Sequence, residues 1–229
     1  MQPNLTLEEL EELRKIHGCT LADAIETFRE RLRNEGFMNN SVRSFFPQLP
    51  NMIGYAVTLK VRGSAPPMAD GSMAIRSDWW DYVLSVPAPR VVVIQDIATR
   101  IGLGSFLGGV HVNILRALGC SGAVTNGSVR EVLIAEQIGF PLFATNVSLS
   151  HAYLHVVEFG QPVEVAGLQV QSGDLIHGSR HGVQTIPLKI ARQLPQVVAR
   201  LAARDQNIIE LCQSDNFTIE KLRSAVNNP

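Results

Sequence analysis

Hydrophobic residues at helical spacing occupy both ends of the chain. Thr6-Leu7-Glu8-Glu9 has the form of a capping box, and the apolar residues after it recur every three or four positions. A second amphipathic stretch runs from Thr20 to Leu32. Helical spacing returns over residues 190–212, and a short helix is predicted from Thr218. The pattern therefore predicts helical extensions at the N- and C-terminal ends.

Between these ends, short apolar runs alternate with helical patterns, as in proteins built on a parallel sheet. The runs Ile53–Val61 and Val91–Ile94 are largely apolar, which is typical of strands buried on both faces. Helices are predicted at 78–86, 110–118 and 129–138, further strands at 123–125, 142–144, 153–157, 163–165, 168–170, 174–176 and 183–186, and loops at 34–51, 63–71 and 102–109. No linker, repeat or low-complexity segment divides the chain, so we predict one mixed α/β domain over residues 1–229.

Composition narrows the class of protein. The 229 residues carry 20 Lys+Arg against 21 Asp+Glu, and this near-neutral balance provides no broad positive field for nucleic acid. The three cysteines, Cys19, Cys120 and Cys212, lie far apart without metal-ligand spacing, which favours reduced thiols over disulfides or a zinc ribbon. No signal-peptide pattern opens the chain, and no apolar run reaches the roughly 18–20 residues of a membrane span. We therefore expect a cytoplasmic protein with no membrane partner.

The first candidate for chemistry is the glycine-rich loop Gly102–Gly109, which directly precedes a predicted helix. Backbone amides at a helix N-terminus bind anions, and glycine lets a ligand approach the backbone closely. The glycine spacing fits neither the dinucleotide-binding fingerprint nor the P-loop fingerprint. A carboxylate or phosphate site and a flexible turn therefore both stay open.

The second candidate is Thr125–Glu131, where a predicted strand ends at an Asn-Gly turn and a predicted helix begins. Ligands of α/β proteins bind at the carboxyl ends of parallel strands. Arg130 would clamp a carboxylate with two N–H donors, and Glu131 would hold a hard divalent cation. The alternative is structural: Glu131 complements the helix dipole and Arg130 forms a surface ion pair.

A third group of titratable residues lies between Asp174 and Gly182, and it includes His177 and His181. Two histidines four residues apart bind a metal from one face of a helix, but the glycines of this segment exclude a helix. Buried, hydrogen-bonded turn residues are therefore the favoured interpretation here. His151, His155 and Glu158 are likewise interpreted as strand and turn residues.

Asp96 follows the predicted strand Val91–Ile94. A carboxylate at that place either points into a cleft at the edge of the sheet or caps the loop that follows. The sequence leaves both interpretations of Asp96 open.

Taken together, these segments resemble the family of the regulator of ribonuclease activity A (RraA) and the class II 4-hydroxy-4-methyl-2-oxoglutarate aldolases, over roughly residues 20–190. The most specific stretch, Gly119–Glu131, follows the family pattern G-x-x-G-x-V-x-x-G-x-V-R-D up to its last residue. Supporting matches are Ala56–Lys60, Pro141–Ala144 and Gly173–Val183. The resemblance implies a swivelling β/β/α-type domain, with a C-terminal helical extension at about 190–229, that assembles into homotrimers or hexamers with sites between subunits.

The resemblance also implies a chemistry. In the aldolases Mg²⁺ or Mn²⁺ binds the acid after the Arg, and pyruvate chelates the metal. The metal and the Arg stabilise the pyruvate enolate formed by retro-aldol cleavage of a 4-hydroxy-2-oxo acid or by oxaloacetate decarboxylation. Transferred by position, Glu131 is the metal ligand and Arg130 is the catalytic arginine. Arg130 and the backbone of Gly109, Val110 and His111 bind the substrate.

This chain departs from the family pattern at three acid positions. The pattern is an acid, twenty residues, Arg-Asp, two residues and a further acid. Gly109 and Ile134 stand where the two outer acids are expected, and Glu131 replaces the Asp. These departures put the metal site, and with it the activity, in question.

Four residues are candidates to replace the missing acids. His111 or Asp96 would serve as a catalytic substitute within the chain, and Asp205 or Glu210 would reach the site of a neighbouring subunit. Two functions therefore stay open. Retention of Arg130 favours a divalent-metal lyase that acts on a 2-oxo acid, whereas loss of the outer acids favours a catalytically degenerate binding or regulatory protein.

Overall fold

A mixed sheet with helices at both ends of the chain makes up the computed structural model, which describes residues 4–67 and 76–227. The strands are β1 (Arg43–Ser44), β2 (Met52–Arg62), β3 (Arg90–Asp96), β4 (Ser105–Leu107), β5 (Cys120–Thr125), β6 (Ser128–Val129), β7 (Leu142–Ala144), β8 (Asn146–Val147), β9 (His155–Phe159), β10 (Val163–Val165), β11 (Leu168–Val170), β12 (Leu175–Ser179) and β13 (Gly182–Ile186). The helices are α1 (Leu7–Lys15), α2 (Gly18–Thr27), α3 (Arg76–Ser85), α4 (Gly109–Ala117), α5 (Val132–Gln137), α6 (Leu194–Gln213) and α7 (Ile219–Asn227). Residues 68–71 of the predicted loop 63–71 lie outside the described ranges.

The main sheet has the strand order β1-β7-β5-β3-β2-β12-β13, and β9 pairs with the second half of β2. Strands β2, β3, β5 and β7 are mutually parallel, and α3, α4 and α5 connect them in turn. Strands β12 and β13 form an antiparallel hairpin. This alternation of strands and helices confirms the predicted mixed α/β class.

Strand β2 is buried on both faces, and its alternate side chains enter two different hydrophobic clusters. Val57 and Leu59 belong to the cluster that α1, α2 and α4 cover. Met52 and Ala56 belong to the second cluster, which the hairpin β10–β11 covers. Because each face of β2 is closed by another layer, a largely apolar strand sequence is required at this position.

Helix α1 begins as predicted, whereas α2 begins at Gly18, before the predicted Thr20, and ends before the predicted Leu32. Thr6 and Glu9 form both bonds of the capping box, from the Glu9 N–H to Thr6 Oγ1 at 3.2 Å and from the Thr6 N–H to Glu9 Oε2 at 2.7 Å. Helix α2 stops at Thr27, because Arg29 takes a left-handed φ of 56° that no helix can continue through. Leu32 therefore lies outside the helix and is exposed.

The helix predicted from residue 129 begins later, at Val132. Ser128 and Val129 instead form β6, which pairs in parallel with β4 and β8 in a second small sheet. Glu131 then takes a φ of 52° at the N-cap of α5. The prediction that residues 130 and 131 open the helix is wrong, because sheet pairing keeps the preceding backbone extended.

The C-terminal helices lie largely on the surface. Leu194 is buried at the start of α6, whereas α7 has no buried residue. Within the described ranges, no helix combines the length and apolar character needed to cross a lipid bilayer.

Candidate functional site

Three chain segments meet beyond the small parallel sheet β4-β6-β8. Strand β4 leads into α4 at Gly109, β6 leads into Arg130 and Glu131, and β8 leads into the loop of His151. The carboxyl ends of parallel strands lie at one edge of a sheet, so these distant segments converge. They border a cavity of about 360 Å³ whose lining includes Phe106, Val110, His111, Glu131 and His151. We call this the Glu131 cavity.

The carboxylate of Glu131 is held from two sides. Its Oε2 accepts the N–H of Gly109 at 2.7 Å, and its Oε1 pairs with Nη2 of Arg130 at 2.8 Å. The Gly109 N–H and then the charge of Arg130, opposed by burial, lower the pKa of the Glu131 carboxyl below its ordinary value. Glu131 is therefore an anion fixed between the N-terminus of α4 and a guanidinium.

Glycine permits this close approach of α4 to Glu131. A Cβ on Gly108 would lie 3.0 Å from Glu131 Oε2. A Cβ on Gly109 would lie 3.1 Å from the same oxygen and only 2.5 Å from Cδ1 of Ile134. The two positions where the family pattern has its outer acids thus contact each other and supply no ligand.

Two imidazoles complete the cavity. Nδ1 of His151 lies 2.8 Å from the carbonyl oxygen of Ser105, and because a carbonyl only accepts, we infer that Nδ1 carries the proton. In the neutral ring Nε2 then keeps its lone pair. The ring of His111 packs on Phe106 with centroids 4.6 Å apart. A glycine is required at position 104, where a Cβ would lie 2.2 Å from the His151 carbonyl oxygen.

The structure brings together four of the predicted site residues, Gly109, Val110, His111 and Glu131. Arg130 lies beside them, bound to Glu131 but outside the lining of the cavity, and its backbone N–H donates to the Leu107 carbonyl at 3.0 Å. Val110 is exposed at the start of α4. The Gly109 N–H already donates to Glu131, so here it positions the carboxylate.

Asp96 does not join this group. Its Oδ1 accepts the Ala98 N–H at 2.9 Å and its Oδ2 accepts the Gly102 N–H at 2.8 Å. It is 3% exposed and borders a separate cavity of about 630 Å³. Of the two interpretations left open by the sequence, the geometry shows the loop cap. A catalytic role for Asp96 stays a prediction without support from its contacts.

The acids Asp205 and Glu210 lie on the exposed surface of α6. Asp205 pairs with Arg204, and Glu210 accepts a hydrogen bond from Gln206 at 2.8 Å. Neither lines the Glu131 cavity of its own chain. Their predicted contribution to a neighbouring subunit stays a prediction.

Sequence reasoning missed His151. The sequence favours strand or turn structure for this residue, as it does for His155 and Glu158. Strands β6 and β8, whose pairing places this loop beside α4, are two residues long each and leave no periodic signal. The one available signal is the position of His151 in the chain, since it follows β8, the third strand of the small parallel sheet.

The donor set of the cavity fits a hard divalent cation bound through one carboxylate. Among the described residues that line it, Glu131 alone carries a carboxylate, and His111 and His151 add imidazole nitrogens. Mg²⁺ usually keeps several waters and needs only one or two protein carboxylates. An anionic Glu131 meets that requirement, and water and substrate would supply the remaining ligands.

Comparison with known proteins matches this chain to a protein family. The RraA-like family model, described as Aldolase/RraA, matches residues 18–184. A protein of Halalkalibacterium halodurans, provisionally named 4-hydroxy-4-methyl-2-oxoglutarate aldolase, is 25% identical over 123 residues. That match covers 52% of this chain and 57% of the relative, so it spans little more than half of the relative's length.

Solved structures share the fold at low sequence identity. An uncharacterized protein from Pseudomonas syringae pv. tomato aligns with a TM-score of 0.75 at 20% identity, over 98% of this chain and 96% of that chain. RraAS2 of Streptomyces coelicolor, an unusual member of the RNase ES inhibitor RraA family, aligns with a TM-score of 0.67 at 19% identity, over 90% and 96% of the two chains. The family match over residues 18–184 shows that this chain belongs to the RraA-like family.

Proposed function

We propose that this chain is a divalent-metal-dependent carbon–carbon lyase that acts on a 2-oxo acid. The reaction is retro-aldol cleavage of a 4-hydroxy-2-oxo acid, decarboxylation of oxaloacetate, or both. The observation that carries the proposal is the carboxylate of Glu131, fixed between the Gly109 N–H and Arg130. One small region then offers an anion for a cation, a guanidinium, and a helix N-terminus for a substrate carboxylate. The name of the Halalkalibacterium relative supports the substrate class.

Arg130 and the N-terminus of α4 bind the substrate carboxylate. A guanidinium has five N–H donors, so Arg130 keeps donors for the substrate carboxylate while one binds Glu131. Val110 and His111 lie in the first turn of α4 and line the Glu131 cavity, where the N-terminus of the helix favours an anion such as the substrate carboxylate. Mg²⁺ or Mn²⁺ held by Glu131 would supply Lewis-acid stabilisation of the charge that develops on the 2-oxo oxygen.

The chain also supplies a group for the proton steps. In retro-aldol cleavage, the bond between the carbinol carbon and the neighbouring methylene breaks, and its electron pair moves into the pyruvate enolate. Nε2 of His151 accepts the hydroxyl proton, and His151 is positioned for this by its Nδ1–H bond to Ser105. Return of a proton to the methylene carbon gives pyruvate. Arg130 stabilises the negative charge between the two steps.

The test is release of pyruvate from 4-hydroxy-4-methyl-2-oxoglutarate and from oxaloacetate, with Mg²⁺, with Mn²⁺ and with EDTA. Metal-catalysed decay of oxaloacetate without protein is subtracted. We expect release that requires metal and that falls at least about 100-fold in Arg130→Ala and His151→Asn. Arg33→Ala, which removes an exposed arginine paired with Glu26, serves as the matched control and keeps full activity.

A second candidate function is a non-catalytic binding or regulatory protein of the same family. The observation that favours it is the contact between Gly109 and Ile134, because both outer acid positions are filled by an apolar arrangement. The relative RraAS2 belongs to a family of ribonuclease inhibitors. Absence of pyruvate release from both substrates by folded protein would contradict the lyase and leave this second function.

We further propose that the protein works as a homotrimer or hexamer in the cytoplasm, with sites between subunits. Asp205 or Glu210, both exposed on α6, would then face a neighbouring Glu131 cavity. All three cysteines are free thiols, as suits a reducing compartment. Native mass spectrometry tests the stoichiometry, and a monomer at micromolar concentration would contradict it.

A further inference from the structure

Three metal-ligating side chains lie together outside the Glu131 cavity. One imidazole nitrogen from each of His17 and His181 and the Sγ of Cys19 lie within 4.8 Å of one another. The two imidazole rings meet edge to face with centroids 4.9 Å apart. All three side chains are exposed, so an ion reaches them from solvent. We propose that they bind one zinc ion through three protein ligands and one exchangeable position.

Two elements from distant parts of the sequence hold these ligands in place. His17 and Cys19 lie at the start of α2, and His181 lies in the two-residue turn of the hairpin β12–β13. Nε2 of Gln184 donates to the Gly18 carbonyl at 2.8 Å in a buried hydrogen bond that joins the hairpin to the helix. The ligands therefore stand on regular structure that is already docked before an ion binds.

The approach of the helix to the hairpin depends on Gly18. A Cβ at this position would lie 2.2 Å from Oγ of Ser179. The backbone between the two α2 ligands thus rests directly on the hairpin that carries His181. This contact explains why residues so far apart in the sequence share one site.

The donor atoms select the metal. One thiolate and two imidazoles suit Zn²⁺, whereas Mg²⁺ and Mn²⁺ prefer carboxylate and water oxygens, and the Glu131 cavity offers a carboxylate. Closed structural zinc sites have four protein ligands, and sites with three keep one position for water or another ligand. This cluster has three among the residues that the structure describes, which places it in the second class.

The present spacing is close to that of a bound state. In a tetrahedral site with the usual Zn–N and Zn–S lengths, ligand atoms are about 3.3–3.6 Å apart. The observed spread of up to 4.8 Å requires a closure of about 1 Å, which exposed side chains reach by rotation about χ1 and χ2.

The exchangeable position has access to a cavity. Cys19 and His181 both line a cavity of about 270 Å³, whose other walls include the apolar side chains of Phe37, Met38 and Val183. Water at the fourth position is therefore open to replacement from this side. The site differs from the Glu131 cavity in location, in donor chemistry and in its metal.

Cobalt substitution tests the site without reference to catalysis. Reduced, metal-free protein is titrated with Co²⁺ and then with Zn²⁺. We expect one equivalent of Co²⁺ to give the visible bands of a tetrahedral site and a thiolate-to-cobalt charge-transfer band, both removed by Zn²⁺. Cys19→Ser removes the charge-transfer band, and His181→Asn weakens Co²⁺ binding at least about tenfold. Cys212→Ser and Glu131→Gln leave the tetrahedral and charge-transfer bands unchanged.

Alkylation supplies a readout that requires no variant. Cys212 is an exposed free cysteine on α6 and acts as an internal reference in the same molecule. We expect Zn²⁺ to slow iodoacetamide modification of Cys19 at least about tenfold, because a coordinated thiolate is shielded, and to leave Cys212 unaffected. A cobalt spectrum without thiolate character, or equal modification of Cys19 with and without Zn²⁺, would overturn the proposal.

Discussion

Ile134 occupies the space into which a side chain at position 109 would extend. Its Cδ1 lies 2.5 Å from the place of a Cβ on Gly109, and its Cγ2 lies 3.4 Å away. The two departures from the acid pattern of the family are therefore one structural unit, in which a small residue and an apolar one fit together. Restoring one acid without changing the other position would break this fit.

We expect Gly109→Asp to lower the free energy of unfolding by about 1–3 kcal/mol, because the new side chain displaces Ile134 and approaches the Glu131 carboxylate. In the Ile134→Ala background the same change should cost at least about 0.5 kcal/mol less. Urea denaturation of the four proteins of this double-mutant cycle (the unmodified protein, the two single variants and the double variant) measures the difference. Leu133→Ala, at an exposed neighbouring position, is the control background and should leave the cost unchanged. Equal costs in the Ile134→Ala and Leu133→Ala backgrounds would contradict the contact.

Glu131 spans two partners that a shorter acid cannot reach together. Aspartate places its carboxylate about 1.5 Å closer to the backbone. It would therefore lose either the Gly109 N–H or Nη2 of Arg130. We expect Glu131→Asp to lower kcat/KM for pyruvate release at least about tenfold, and Glu131→Gln to abolish release because an amide lacks the charge for the cation. Full activity of Glu131→Asp would show that the site accepts the usual family geometry.

Several elements were predictable because local sequence and tertiary contacts agree. The Thr6 and Glu9 pair determines the start of α1 by itself, and both bonds form. The apolar run Val91–Ile94 forms β3, which pairs in parallel with β2 and β5. A short, continuous apolar run is typical of a strand that is buried on both faces of a parallel sheet. In these segments the local sequence is sufficient to predict the element.

The candidate site was predictable only in part. The pair Arg130 and Glu131 belongs to a motif that can be recognised in the sequence. The conformation of the backbone before it cannot, because β6 forms only through pairing with β4 and β8. The same long-range pairing brings in His151, which has no local signal. His181 likewise meets His17 through the docking of α2 on a hairpin, and a spacing rule pairs it wrongly with His177.

The two interpretations of Asp96 predict different effects of Asp96→Asn. Each carboxylate oxygen of Asp96 accepts one N–H, from Ala98 or from Gly102, and in asparagine one of these oxygens becomes an NH₂ that opposes its N–H. We expect a loss of about 1–3 kcal/mol in the free energy of unfolding and little change in kcat. Asp81→Asn, at an exposed acid on α3, is the control and should change stability by less than about 0.5 kcal/mol. Unchanged stability with a lost kcat would favour the catalytic interpretation.

His177 is fully buried on β12, and neither ring nitrogen has a hydrogen-bond partner among the described residues. The carbonyls of Arg14 and Ile16 lie near the ring and favour its protonated form, but burial has the larger effect. Burial lowers the pKa of His177 from 6.5 to about 4, because the imidazolium would lose its hydration. The folded protein therefore holds this ring neutral where the unfolded chain protonates it.

This difference makes the protein lose stability as the pH falls from 6.5 towards 4. In that interval the unfolded chain binds a proton at His177 and the folded chain does not, so protonation favours unfolding. The free energy of unfolding falls by about 3 kcal/mol by the pH at which both states are protonated. We expect the loss in unfolding free energy between pH 7.5 and 4.5, measured with urea, to be about 2–3 kcal/mol smaller in His177→Leu. His155→Gln, which retains His177, should keep the full loss. An equal loss in His177→Leu and the unmodified protein would contradict this assignment.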